Sequence, residues 1–470
     1  TLMDTMMWAR EQFCGADLGD IRRQRRLVEV AACIRNNPCG TLPRAVSDPV
    51  VLKAAYRLLR NPSVTHPAII RPHVEATRER CRAPGHYLMI EDTTALSFTQ
   101  REAVQGMGPL TRETSQGFMV HTSLAARIQQ WTEHDEPLVT LAGVFAQECW
   151  ARKQPKGSRA QRKKDRRRKK HAGTAQSEAQ RWGRVIPEAG PPPGDTQWTL
   201  VADRESDIFE VLVRCARHEW DWVLRACQAR RCTSPQGDIF DVVAQAPVLG
   251  RFSLKLRKRK GVAARKARLE VRAVGTKILP PKDLPAGQGP QATTLVEVRE
   301  VDPPADVEEP IHWVLLTSWL CETFAQARRV VAAYACRWLI EEYHKALKTG
   351  THIEDSQLST RERIEALLGI HAVIAVDLLQ LKLLANTHPE EPVDPELVEP
   401  EALEILEHQF GRPVCGWTNA STMGAIARMG GYLGRKHDGP PGWLSIWRGW
   451  LMLTSMLEGY HLALGQKRYG

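Results

Sequence analysis

Three carboxylates in this 470-residue chain stand where chemistry could be done: Asp92, Asp203 and Glu341. Asp92 follows the apolar run Tyr87-Leu88-Met89-Ile90 within Glu91-Asp92-Thr93-Thr94, and Asp203 follows Trp198-Thr199-Leu200-Val201-Ala202. Both runs read as short strands that end in an acid, and functional groups of open α/β sheets collect at strand ends. Glu341 lies in the stretch from Ala333 to Gly350, whose Ala, Leu, Glu and Lys content and closing Gly predict one helix. At roughly 100° per residue, Tyr334, Arg337, Glu341 and Lys348 fall within about 60° of one another on one face, with Trp338 and Lys345 bordering it. A face turned to a core would carry Leu, Ile and Val there. The alternative is a solvated face with an i,i+4 Arg–Glu pair. Three carboxylates are the donor set for phosphodiester hydrolysis and transesterification by two Mg²⁺ ions held about 3.5–4 Å apart. Taken singly, each acid could equally be a cap or a salt-bridge partner.

The elements that must position these acids follow in chain order. Residues 1 to about 65 predict a compact helical module. Asp20 is the N-cap of a helix that buries Leu27, Val30, Ala31 and Ile34, and a second helix opens at Asp48-Pro49, runs to Arg60 and stops at Asn61-Pro62. Arg22, Arg23, Arg25 and Arg26 crowd the first turns of the earlier helix, where the helix dipole disfavours cations, and Arg57 and Arg60 add charge to the later one. A phosphate backbone would relieve that repulsion; the alternative is a basic surface on a small bundle.

From His86 the pattern changes to strands, with Gly117–Leu124 and Pro137–Phe145 following the Tyr87 run. A short helix is expected near Ser177 to Trp182. Trp220 to Arg225 reads as a strand, about 226–310 as a β-rich insertion, and Trp313 to Ser318 as a return to the core sheet. Beyond Gly350 the chain reads as helical. Ile364, Leu367, Leu368, Ile370, His371 and Ile374 form a buried stripe, an acidic linker runs from His388 to Glu401, and Trp443, Trp447 and Trp450 line a core or a subunit interface.

Net charge is +11 with a pI near 9.2, which favours a polyanionic partner. The excess is local, because Arg152 to Lys170 alone holds twelve Lys and Arg against one Asp. That run has no apolar period and is expected to contact phosphates non-specifically. The eleven cysteines show no Cys-x-x-Cys and no zinc-site spacing, so free thiols in a reducing cytoplasm are expected. Neither a signal-peptide pattern nor an apolar run of membrane-spanning length is read, and with Thr1 as the first residue a natural start upstream is an expectation.

Together these motifs resemble bacterial DDE cut-and-paste transposases with a ribonuclease H-like core. The resemblance is nearest to the hairpin-forming insertion-sequence group with a tyrosine–arginine–glutamate–lysine signature. Tyr334, Arg337, Glu341 and Lys348 match its spacing, and Ile340 to Ala346 and Lys348-Thr349-Gly350 extend the match. Ile90 to Thr94 and Ala202 to Glu205 match the first and second acid motifs. Leu18-Gly19-Asp20 and Tyr56-Arg57 to Arg60-Asn61-Pro62 resemble the end-binding domain, and Gly424 to Tyr460 is also similar. The basic run from Arg152 departs from the family pattern.

The resemblance implies an α/β fold: a ribonuclease H-like mixed sheet with helices, a β-rich insertion, and helical N- and C-terminal domains. It implies an end-binding domain over 1–65, a catalytic domain over 66–365 (basic loop 151–194, insertion about 226–310) and a dimerisation domain over 366–470. Asp92, Asp203 and Glu341 would be catalytic ligands of two Mg²⁺, with Mn²⁺ able to substitute. Tyr334, Arg337, Lys348, Lys345, His344, Arg225, Trp313 and Trp338 would contact end DNA near the cut, the tryptophans stacking a flipped base. Arg22, Arg23, Arg26, Arg57 and Arg60 would bind the inverted repeats. The partners implied are double-stranded end and target DNA and a second copy of the chain, in a nucleoid-associated cytoplasmic setting and with no membrane. Two alternatives are a catalytically silent end-binding regulator and a general nuclease of the same fold.

Overall fold

The computed structural model describes residues 5–37, 41–101, 103–110, 115–153, 178–235, 237–256, 265–282, 288–304, 307–395, 397–435 and 438–464. Most of the basic run therefore lies outside the described residues.

The N-terminal helices are α1 (Thr5–Phe13), α2 (Ile21–Asn36), α3 (Leu42–Ala45), α4 (Pro49–Leu59) and α5 (His66–Arg80). Local chemistry sets their limits. Gly19 takes a left-handed φ of 72° just before Asp20, whose side chain caps Arg22 N, while Asp48 caps Val50 and Val51 ahead of Pro49. Leu27, Val30, Ala31 and Ile34 are fully buried, as their spacing predicts.

The strands are β1 (Gly85–Ser97), β2 (Gly108–Pro109), β3 (Gln116–Trp131), β4 (Pro137–Trp150), β5 (Thr196–Ala202), β6 (Asp221–Arg225), β7 (Val248–Leu256), β8 (Arg265–Ile278), β9 (Gln291–Glu300) and β10 (His312–Thr317). They form one mixed sheet in the order β2-β3-β1-β5-β6-β10-β9-β8-β7, with β4 also on β3. The β1–β5 and β5–β6 pairs are parallel and the rest antiparallel. The β-rich insertion is present, but its strands extend the main sheet through β9 and β10 instead of folding apart.

Helices cover both faces. Along β1, Leu88 and Ile90 enter one buried cluster while Tyr87 and Met89 enter the other, as a period of two requires. The second face takes α6 (Val185–Ala189), α7 (Phe209–Arg217) and α8 (Ile239–Ala244). The expected helix near Ser177 is a 3₁₀ turn over Glu178–Arg181. The first face takes α9 (Phe324–Ala335), α10 (Trp338–Lys345) and α11 (Arg361–Thr387), together with the N-terminal helices. The fold is thus mixed α/β, ribonuclease H-like in its core, with helical ends.

At its centre α11 is buried nearly all round, so the expected stripe is only part of its contact surface. It is long and apolar enough to cross a membrane, yet 78% of its most apolar window is buried inside the protein. Gly369 lets α5 approach it closely: a Cβ there would lie 3.0 Å from Ile69. The remaining helices are α12 (Pro400–Phe410), α13 (Asn419–Met429) and α14 (Trp443–Ala463). Trp443 and Trp447 of α14 are buried in the core.

Two expectations about the site elements are corrected. The strand before Asp92 does not stop at Glu91; β1 continues to Ser97 because β3 pairs with it along its length, with Asp92 opposite Thr122. Nor is the stretch from Ala333 to Gly350 one helix. Arg337 N–H bonds Tyr334 O and Leu339 N–H bonds Cys336 O, so two tightened turns separate α9 from α10. A π turn then spans Ala346–Gly350, closed by Thr351 N–H to Ala346 O at 2.9 Å.

Candidate active site

The parallel pairing of β1 with β5 brings the first two acids to one level. Glu91 is paired with Ala202, so Asp92 and Asp203 are the next residues on adjacent strands. Asp203 leaves the sheet and caps a 3₁₀ turn through Glu205 N–H at 2.9 Å. Glu341 arrives from α10, which crosses this part of β1.

Arg337 joins them. Its Nη1 lies 3.7 Å from Asp92 Oδ2, and its Nη2 donates to Glu341 Oε1. Burial first, then the charges of Asp203 and Glu341, push the Asp92 carboxyl up to about 6, against its own Thr93 N–H bond and the pull of Arg337. The charges of Asp203 and Glu341 thus both reach Asp92. Tyr334 is buried beside them, and burial raises its phenol against the opposing pull of Arg337 and Arg225. Trp313 meets the Tyr334 ring edge-on at 5.5 Å. Lys348, in the π turn, is lowered by burial while Glu354 and Asp92 oppose the shift. The break between helices and the π turn thus leave Tyr334, Arg337, Glu341 and Lys348 around one centre, although no continuous helix aligns them.

Of the other candidates, only Arg225 also acts on Tyr334. Lys345 binds Glu342 at 2.7 Å, and Trp338 is exposed. His344 is turned inward at 7% exposure, and burial lowers its imidazole to about 3, so it is not available to a ligand on the outer face. Arg225 donates to His312 O at 3.2 Å. Arg22, Arg25, Arg57 and Arg60 are exposed on or beside α2 and α4. Within α2, Arg22 pairs with Asp20, Arg23 donates to Leu18 O at 2.7 Å, and Arg26 pairs with Glu29.

The donor chemistry fits a hard divalent cation: Asp92 carries the repulsion of Asp203 and Glu341, which a positive charge relieves, and a guanidinium already pairs with Asp92 and Glu341. Among the described residues no three His, Cys, Asp or Glu form a ready-made metal cage.

Residues 5–64 match the model of a transposase DNA-binding family, and residues 192–376 match that of a transposase DDE domain. The chain carries both domains. The two matches support a DNA transposase of the DDE type, an enzyme class that acts on phosphodiesters with divalent metals. The DNA-binding match covers α1 to α4, and the DDE match holds Asp203 and Glu341. Asp92 lies between the two spans, so its place beside Asp203 comes from strand pairing.

Sequence reasoning missed the supports of this candidate site. Glu91, on the opposite face from Asp92, accepts Gly183 N–H at 3.0 Å and lies 3.5 Å from His121, whose Nδ1 meets Thr93 Oγ1 at 2.8 Å. Glu342 takes Lys345, Lys382 and, at 2.8 Å, Trp443 Nε1, tying α10 to α11 and α14. The signal for Glu91 was strand alternation; for Glu342 it was the 100° step between neighbours on a helix.

Proposed function

We propose that the chain binds the inverted-repeat ends of a transposon through residues 1–65, cuts them with a catalytic domain over 66–365, and pairs through its C-terminal helices over 366–470. The observation that carries this reading is that Arg337 pairs with both Asp92 and Glu341 while the charge of Asp203 reaches Asp92, with Tyr334 and Lys348 beside them. In it the three acids would hold two Mg²⁺ or Mn²⁺ ions, which when bound would activate an oxygen nucleophile and stabilise charge at phosphorus. Arg337, Lys348 and Arg225 fix the phosphates flanking the cut, and Tyr334 braces Trp313. Trp338, exposed at the start of α10, and Trp313 offer stacking surfaces for a base flipped from the duplex.

The sequence of reactions is four in-line displacements at phosphorus. Water nicks one strand; the freed 3′-OH attacks the opposite strand and closes a hairpin; water reopens it; the 3′-OH then attacks target DNA. A single site serves all four because each moves one oxygen in and one out along the same axis. The test is cleavage of a labelled end duplex with Mg²⁺. Wild type should nick and then form a hairpin, and Glu341→Ala should do neither while still binding. Tight binding without cleavage by wild type would support the silent regulator instead.

A further inference from the structure

The group that stands where a metal ion would be needed is one of the chain's own. Arg337 engages Asp92 and Glu341 together, and its side chain is only 22% exposed. A guanidinium and a divalent ion on the same carboxylates repel one another, and each neutralises the charge that draws the other. While Arg337 stays on Asp92 and Glu341, a divalent ion arriving at those acids meets that repulsion.

What would draw it away is also at hand. A guanidinium fork fits phosphate as well as carboxylate. Lys348 lies in the electrostatic field of Asp92, and Arg225 and Arg337 both act on Tyr334. A phosphodiester entering among these three cations gains more than one partner, while the acids that lose Arg337 gain a divalent ion. Neither half of the exchange leaves a buried charge unpaired.

We propose that Arg337 is a latch that makes loading of the site ordered, DNA phosphate before metal. In the DNA-free chain it neutralises Asp92 and Glu341 and keeps divalent ions off them. A bound phosphodiester takes the guanidinium and opens the acids. The proposal rests on the metal-site reading above and adds to it the identity of the competitor and the order of binding.

The experiment is Mn²⁺ binding to the full chain, followed by the paramagnetic resonance of free Mn²⁺. It compares wild type, Arg337→Gln, Arg337→Lys, and Asp92→Asn combined with Arg337→Gln. Arg337→Gln should bind Mn²⁺ about tenfold or more tightly than wild type, since a like charge has been removed from the site. Adding Asp92→Asn should abolish that gain, and Arg337→Lys, which keeps the charge, should stay near wild type. A short duplex, measured against duplex alone, should raise the wild-type affinity toward that of Arg337→Gln; this arm needs no substitution. Equal Asp92-dependent affinity in wild type and Arg337→Gln would overturn the latch and leave the metal site standing. Tightening by Arg337→Lys equal to that by Arg337→Gln would assign the gain to loosened packing and overturn the latch as well. No Asp92-dependent binding in any form would overturn both readings.

Discussion

Glu341 and Glu342 are adjacent and chemically alike, and the structure predicts opposite consequences for losing them. Glu342 is 13% exposed and accepts from Lys345, from Trp443 Nε1 at 2.8 Å, and from Lys382, itself 15% exposed. Glu342→Ala takes a carboxylate partner from the largely covered Lys382 ammonium and the acceptor from the Trp443 N–H. Breaking a buried pair from one side costs about 3–5 kcal/mol, and an orphaned neutral donor about 1–3 kcal/mol, with the two not fully additive. Because the pair keeps 13% and 15% exposure, a loss at the lower end, about 3 kcal/mol, is expected. Glu342→Gln keeps an acceptor for Trp443 and should fall between. Glu341 is 46% exposed with one partner, so Glu341→Ala should change stability by about 0–1 kcal/mol. Urea denaturation followed by tryptophan fluorescence reads both, and end-duplex cleavage should show the reverse ranking at Glu341. A Glu342→Ala protein within about 1 kcal/mol of wild type, or less stable Glu341→Ala than Glu342→Ala, would refute the clamp.

Stability should also depend on pH through buried histidines. Burial lowers His66 to about 4 and His73 to about 3; His73 bonds Gln12 Oε1 at 2.8 Å through Nδ1 and accepts Val144 N–H at Nε2. Both are neutral when folded, so between pH 6.5 and about 4 the unfolded chain binds more protons. Their contribution is complete above 6.5 and is lost as pH falls, by up to about 1.4 kcal/mol per pH unit for each. Melting midpoints at pH 7.5 and 5 should differ, and His73→Gln should flatten the slope; equal wild-type midpoints would contradict this. Gly369→Ala forces a Cβ to 3.0 Å from Ile69 and should cost about 1–3 kcal/mol, read by the same denaturation; a neutral result would mean α5 yields. Replacing exposed Arg57 and Arg60 by Ala should leave stability unchanged and make the salt dependence of duplex binding shallower, by up to about 0.9 per lost phosphate contact; an unchanged slope in an anisotropy titration would remove them from the interface.

The sequence was most legible where one local rule suffices. Asp20 and Asp48 start helices in the structure because a capping carboxylate acts on amides two or three residues away. The apolar runs at Tyr87, Trp198, Trp220 and Trp313 became strands of one sheet because each is buried on both sides. It was least legible where pairing or packing at a distance decides. No local signal carries β1 past Asp92 to Ser97, since the partner that holds it there is β3. The break at Cys336-Arg337 is equally silent in a stretch of good helix formers.

The two adjacent acid pairs show what sits between these extremes. In Glu91-Asp92 and Glu341-Glu342 composition does not say which member faces the site, but geometry does. A strand sends neighbours to opposite faces, so Glu91 meets Gly183 and His121 while Asp92 meets Arg337. A helix turns neighbours by about 100°, so Glu342 meets Lys382 and Trp443 while Glu341 meets Arg337. In each pair the member beside the candidate ligand secures the element that carries it: Glu91 ties β1 to the residues before α6, and Glu342 ties α10 to α11 and α14. A carboxylate free enough to trade a guanidinium for another cation needs a rigid backbone beneath it, and here the neighbouring residue supplies that rigidity.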